Sequence, residues 1–213
     1  MMRDFPMFTT ENGVGSLVLR EIPYRGVAYV TIRDSLDPIA FLDECAEFCR
    51  LAGASAVFAS GHDSLSIYPF HTSVLQMSGT LDMIPETDAS LFPVTDKTVS
   101  RWREIYNGKM KDVDNASYMS ERDGDKLLKD GNAYFVHRNG ELLGIGIAAA
   151  DRIDCVASCK KGAGKEVVAA LAYALLNDRI VLEVASTNQR AISLYESLGF
   201  IRTAELSKWY KIF

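Results

Sequence analysis

Apolar and polar positions along this chain mark out a succession of short strands and amphipathic helices. Ser16–Ile22 is apolar-rich and predicts a strand. Pro23-Tyr24-Arg25-Gly26 predicts a turn, and Val27–Arg33 a return strand. Asp37 stands where a helix cap belongs, with Pro38 at the first helical position. That helix runs to about Ala52 and ends at Gly53; its apolar stripe includes Phe41, Cys45, Phe48 and Cys49. Ala54–Ala59 predicts a short buried strand and Gly61-His62-Asp63 a turn. Leu65–Tyr68 and Thr72–Met77 follow as strand-like pieces. The first part thus reads β-β-α-β-β, and Pro85-Glu86-Thr87-Asp88 reads as a linker.

A second unit starts with a strand near Leu91–Val94. Thr95 or Asp96 caps a helix reaching about Met110, with Val99, Trp102, Ile105 and Tyr106 on one side. Ser120-Glu121-Arg122-Asp123 resembles a capping box, and Gly131 closes the helix it opens. Asn139-Gly140 between Ala133–His137 and Glu141–Ala149 is a strong hairpin signal. A strand follows at Arg152–Ala157. Next come a basic glycine turn, a helix over about Gly164–Leu176 with Val167, Leu171, Ala174 and Leu175 on one face, and a strand at Ile180–Ala185. A final helix leads to a short hairpin, Ile201–Glu205 with Lys208–Phe213. The two parts share a β-β-α-β order, Ser16–Ala59 aligning loosely with Glu141–Ala185.

Composition narrows the function classes. The chain has 213 residues, 48% of them apolar, enough for one large domain or two small ones. A net charge of −5 argues against general nucleic-acid binding. No apolar run approaches a membrane span, and Met1-Met2-Arg3-Asp4-Phe5-Pro6 does not read as a signal peptide, so a cytoplasmic protein, monomer or homodimer, is expected. The four cysteines, Cys45/Cys49 and Cys155/Cys159, lack metal-finger spacing and read as small buried hydrophobes; no metal site is expected.

The chemistry concentrates between Asp151 and Phe200. The turn Lys160-Lys161-Gly162-Ala163-Gly164-Lys165 links a strand to a helix, and free N–H groups at a helix start suit an anion. It is no Walker A loop, because Cys159 and Glu166 stand where glycine and Ser/Thr are needed, and no dinucleotide fingerprint, because Val167 replaces the third glycine. Alone, the turn fits a phosphate cradle and a plain lysine-rich turn equally. Glu183 is an unusual residue for a short buried strand, where a lone charge needs a cleft or a partner. Tyr195 shares a stripe with Ala191, Leu194 and Leu198, so a core tyrosine is its bland reading. His62, His71 and His137 have no motif around them.

Residues 133–200 resemble the GCN5-related N-acetyltransferase (GNAT) family. The family's loop falls on Lys161 to Glu166: Gly164 matches its first glycine, while Lys161 replaces Arg or Gln and Glu166 replaces a small residue. The later pattern matches in full at Asn188, Ala191, Leu194-Tyr195 and Gly199-Phe200. Leu182-Glu183-Val184 through Phe200 looks most like the ribosomal-protein N-terminal acetyltransferase subgroup. The resemblance implies an α/β fold with a GNAT-type mixed, mostly antiparallel sheet flanked by helices. This would occupy residues 86–213, after a smaller α/β unit at 1–85 that is perhaps a degenerate GNAT-like half.

The resemblance also implies acetyl-CoA as co-substrate and an amine as acceptor. Lys161, Gly162, Ala163, Gly164 and Lys165 would hold the pyrophosphate, and Cys155, Val156 and Ala157 would pair with the pantetheine amides. Asn188 would bond the pantetheine arm. Tyr195 would protonate the departing thiolate and Glu183 would act as general base. The alternative is a non-catalytic CoA- or acyl-CoA-binding module, which the departures at Lys161 and Glu166 favour. The first 85 residues carry no glycine–basic turn and are expected to bind no cofactor but to shape the acceptor pocket.

Overall fold

Alternation of buried and partly exposed residues is clearest along Val27–Ser35. A computed structural model describes residues 6–175 and 177–213; residues 1–5 and Leu176, the predicted end of one helix, lie outside the described residues. The described chain forms two compact units. Residues up to Ser73 with Glu205–Phe213 make one, and Val74–Ala204 the other; the sequence reading had put the division near residue 85. Among the described residues no helix is long and apolar enough to cross a membrane.

The smaller unit starts with β1 (Met7–Thr9) and β2 (Gly13–Val18), antiparallel to each other. Pro23-Tyr24-Arg25-Gly26, expected as a plain turn, belongs to a one-turn helix, α1 (Ile22–Arg25). Pro23 suits a first helical turn, and Gly26 ends it in the left-handed conformation (φ 69°). In β3 (Val27–Ser35), Ala28, Val30 and Ile32 are buried while the residues between them are not. The predicted cap holds: Asp37 accepts a hydrogen bond from the Ala40 amide at 3.1 Å and opens α2 (Pro38–Leu51). The stripe of α2 is Phe41, Leu42, Cys45, Ala46 and Cys49; Phe48, expected in it, is exposed and rests on Phe8 with ring centroids 5.2 Å apart. α2 returns the chain to β4 (Ala56–Ser60), parallel to β3.

Leu65–Tyr68 is not a strand. Asp63–Ile67 forms a 3-10 turn in which His62 takes the Ser64 amide at 3.2 Å, a local bond that outcompetes a ladder. The expected Thr72–Met77 strand lies inside β5 (Phe70–Thr80).

In the larger unit, β6 (Ser90–Pro93) precedes α3 (Val99–Met110), which starts two or three residues later than expected, and α4 (Glu121–Asp130). The capping box forms: Ser120 accepts from the Asp123 amide at 3.3 Å, and Asp123 accepts from the Ser120 amide at 2.9 Å. β7 (Ala133–Arg138) and β8 (Glu141–Ala149) meet at Asn139 and Gly140, both at positive φ (52° and 80°), the backbone such a tight hairpin requires. β9 (Arg152–Ser158), α5 (Gly164–Ala174), β10 (Arg179–Ala185) and α6 (Gln189–Glu196) follow. The predicted terminal hairpin is instead one strand, β11 (Ile201–Lys211), whose end pairs with β4 at Tyr210 opposite Ala59.

Strands of the larger unit run in the order β5-β10-β9-β8-β7-β6, antiparallel except for β9 and β10. Helices cover both faces. Val167, Val168 and Leu171 of α5 and Ile192 and Tyr195 of α6 pack with Leu182 and Val184 on one side. Trp102 of α3 packs with Ile145 and Ala157 on the other, its indole N–H on the Tyr134 carbonyl at 3.0 Å. The fold class read from the sequence, a mixed, mostly antiparallel sheet flanked by helices, is the one observed.

Gly146 of β8 lets α5 lie close to the sheet. A Cβ there would sit 2.2 Å from Leu171 Cδ1 and 2.9 Å from the Cys155 carbonyl, a backbone atom that cannot step aside. Gly146→Ala should destabilise the protein by about 1–3 kcal/mol through overpacking, read as a lower urea midpoint. An unchanged midpoint would show that helix and sheet are not so closely seated.

Candidate active site

β9 and β10 run parallel on either side of α5, but they pair only at their beginnings. Arg152 lies opposite Val181 and Ile153 opposite Leu182. Beyond that, β10 stays with β5 as far as Ala185 opposite Val74, and β9 stays with β8 as far as Ser158 opposite Gly144. The two strands therefore part in mid-sheet and leave an unpaired edge on each side of a gap.

A β-bulge sets the directions of the peptide groups there. Ile153 pairs with Ala148 and Cys155 with Ile147, so Asp154 is an extra residue with no opposite number on β8. Before the bulge, the Asp151 carbonyl accepts from Val181 on β10 at 2.8 Å. After it, the Cys159 amide donates to Leu143 on β8 at 2.8 Å. Alternation then turns the peptide groups of Cys155 and Ala157 toward β8, and those of Val156 and Ser158 toward the gap. Of the three strand residues named from the sequence, Val156 is the one whose backbone faces the open edge. Ser158 is its companion, missed because the bulge is invisible in the sequence.

At the end of β9 the turn closes on itself. The Ser158 hydroxyl donates to the Lys160 carbonyl at 2.6 Å and the Ala163 amide donates to the same carbonyl at 3.3 Å. Gly162 takes φ 86°, open to glycine at little cost. The amides of Lys161, Gly162, Gly164, Lys165 and Glu166 meet no protein acceptor among the described residues, so five donors stand free at the start of α5. Lys160 is tied to Glu141 at 2.6 Å, whereas Lys161 and Lys165 have no ion-pair partner among the described residues. Gly164 has a packing reason too, since a Cβ there would lie 2.9 Å from Leu194 Cδ2 of α6.

Tyr195 on α6 is 7% exposed, its ring centroid 6.0 Å from that of Phe200. Burial first, and Cys155 beside it second, push its phenol well above the usual tyrosine value, so it keeps its proton at neutral pH. The Cys155 thiol is itself pushed up to about 12, by burial and then by Asp154, and stays neutral. Asn188 caps α6: its side-chain oxygen accepts from the Ala191 amide at 3.2 Å, leaving the NH2 group as the available donor.

Glu183 is exposed on β10 and has a partner that sequence reasoning did not name. Arg152 of β9 donates to it at 2.7 Å and also reaches Asp154 at 3.4 Å. That bond is the first cause of a raised Arg152 pKa. The register of the parallel pair, not the sequence, brings the two together. His137 is a strand histidine of the hairpin, its ring tilted against Phe92 with centroids 4.6 Å apart. All four cysteines are free, and among the described residues no group of three or more His, Cys, Asp or Glu could hold a metal ion.

The FR47-like protein family matches residues 158–210. The structure is similar to a GCN5-related N-acetyltransferase from Sphaerobacter thermophilus, with a TM-score of 0.56 and 13% identity over 93% of this chain and 75% of that one. The chain is a GNAT-fold protein.

It is also similar to a conserved protein of unknown function from Staphylococcus epidermidis, with a TM-score of 0.61 and 11% identity over 98% of this chain and 93% of that one. In sequence, 54 residues are 41% identical to N-alpha-acetyltransferase 30 of Xenopus laevis; they make up 24% of this chain and 20% of that relative's length. The match to residues 158–210 takes in the free amides, Glu183, Asn188 and Tyr195, while Val156, Arg152 and Arg138 precede it.

The smaller unit repeats the β8-β9-α5-β10 connection of the larger one without the gap. There, too, the first two strands are antiparallel and a helix leads to a parallel third. But β3 and β4 stay paired from Val27 opposite Ala56 to Thr31 opposite Ser60, along all of β4. The start of α2 is also occupied: Leu36 and Asp37 donate to the Asn12 carbonyl, and Asp37 takes the Ala40 amide.

The two duties of Asn188 can be separated. Asn188→Ala removes the cap and should lower stability by about 0.5–2 kcal/mol. Asn188→Asp keeps an acceptor for Ala191 and should melt close to the parent while losing the NH2 donor. Equal destabilisation of both would contradict the cap as described.

Proposed function

We propose that this chain is an N-acetyltransferase that carries the acetyl group of acetyl-CoA to an amine. The observation that supports it most is the parting of β9 from β10, which leaves the Val156 and Ser158 peptide groups open beside five free amides and two unpaired lysines. An extended ligand with amides in its arm and an anion at its end suits that arrangement: strand-like pairing along β9, then the anion at the start of α5. The curated relative's own name speaks of N-alpha acetylation, which favours a peptide or protein N-terminus over other amines as acceptor.

The chemistry follows from the residues around the gap. An alkyl amine is mostly protonated near neutral pH and must lose a proton before it attacks. Glu183, held in place by Arg152, takes that proton through water. The amine nitrogen bonds to the acetyl carbon, the carbon–sulfur bond breaks, and Tyr195 supplies a proton as the thiolate leaves. Burial keeps Tyr195 in its protonated form across the working pH range, so its ionisation should not limit the rate below about pH 10. The second reading, an acyl-CoA-binding module without turnover, is favoured by one observation: the ion pair that engages Glu183.

Tyr195→Phe decides between them, because it removes one hydroxyl and keeps the packing with Phe200. Acetyl transfer to a panel of amines and peptides should fall by roughly a hundredfold, with acetyl-CoA affinity little changed. Glu183→Gln should cost most at neutral pH and progressively less as the amine deprotonates by itself. A parent protein that binds acetyl-CoA but acetylates nothing in the panel would support the binding module. A Tyr195→Phe variant with full turnover would remove Tyr195 from the mechanism.

A further inference from the structure

Glu166 stands at the third residue of α5, where the GNAT loop pattern calls for a small residue. A carboxylate in the first helical turn can settle on the free amides of its own helix start, where the dipole favours it. Here it does not. Its Oε2 takes a hydrogen bond from Nη1 of Arg138, at the end of β7, and the amides of Gly164, Lys165 and Glu166 stay free. Both side chains are about one third exposed, 38% for Arg138 and 31% for Glu166, so solvent screens the pair and it adds little to stability.

The hairpin that carries Arg138 is tied to the turn by a second ion pair as well. Glu141, opposite Arg138 across Asn139-Gly140, takes Lys160. The hairpin thereby removes one acid and one lysine from the seat, and Lys161 and Lys165 keep no ion-pair partner among the described residues.

We infer that Arg138 is a positioning residue for this seat: it holds Glu166 off the first amides of α5 and so keeps them open to an anionic ligand of the pyrophosphate class. Without Arg138, Glu166 is an anion already attached to the helix, and it competes with any phosphate for the same donors. The inference rests on the acetyl-CoA reading for the identity of the ligand, but the capping competition is a property of the chain alone.

The test uses the full chain at low ionic strength and four proteins: the parent, Arg138→Ala, Glu166→Ala and the double variant. By calorimetry with acetyl-CoA, Arg138→Ala should bind roughly tenfold more weakly. Glu166→Ala should bind at least as tightly as the parent, and the double variant should bind like Glu166→Ala. With no ligand present, hydrogen exchange at Gly164–Glu166 should slow in Arg138→Ala and return to the parent rate in the double variant. Unchanged affinity in Arg138→Ala, a double variant as weak as Arg138→Ala, or unchanged exchange would overturn the inference. If Arg138→Ala does not fold, weaker binding by Glu166→Ala than by the parent overturns it alone. Failure of the parent to bind acetyl-CoA, with the exchange pattern as expected, would instead overturn the acetyl-CoA reading and leave the role of Arg138 standing.

Discussion

Everything proposed for this protein depends on two parallel strands that stop pairing after two residues. A parallel ladder left half made exposes N–H and C=O groups in the middle of a sheet, an arrangement that is costly unless water or a ligand takes them. The extra residue Asp154 reverses the peptide groups that follow, so that Cys155 and Ala157 stay with β8 while Val156 and Ser158 face the gap. The smaller unit supplies an internal comparison. It has the same β-β-α-β connection, but β3 and β4 pair along all of β4 and Asp37 caps α2, so the two strands do not part and the helix start is taken. Connection alone does not open the sheet; the parting of the strands does.

Charge is arranged around that gap in pairs that leave a chosen remainder. Three acids around it are matched: Glu166 by Arg138, Glu141 by Lys160 and Glu183 by Arg152. Among the described residues, Lys161 and Lys165 of the turn keep no ion-pair partner, beside five amides. An acidic chain of net charge −5 thus keeps one cationic patch at a helix start, where the dipole adds to it.

Much of this was legible in the sequence where the determinants are local. The Asp37-Pro38 helix start, the Ser120/Asp123 box and the Asn139-Gly140 hairpin are each written within a few residues, and each forms. The basic turn and the Asn188-to-Phe200 pattern likewise carried the family resemblance. The misses are non-local or marginal. Leu65–Tyr68 has strand composition, yet a three-residue bond at His62 coils its start. Ile201–Lys211 was split at Leu206-Ser207, between the exposed charges Glu205 and Lys208, yet all of them belong to one continuous strand. Arg138 and Arg152 were overlooked because their partners lie 28 and 31 residues away and meet them only through strand register and helix packing.

The central claim is that the β9 edge between Asp154 and Ser158 receives the ligand as a strand would. Amide hydrogen exchange with and without acetyl-CoA addresses it directly. Saturating acetyl-CoA should slow exchange at Val156 and Ser158 and at the first amides of α5, and leave β3, β4 and the start of α2 unchanged. Bound acetyl-CoA with no slowing along β9, or with protection centred on β3, β4 and α2, would contradict the account.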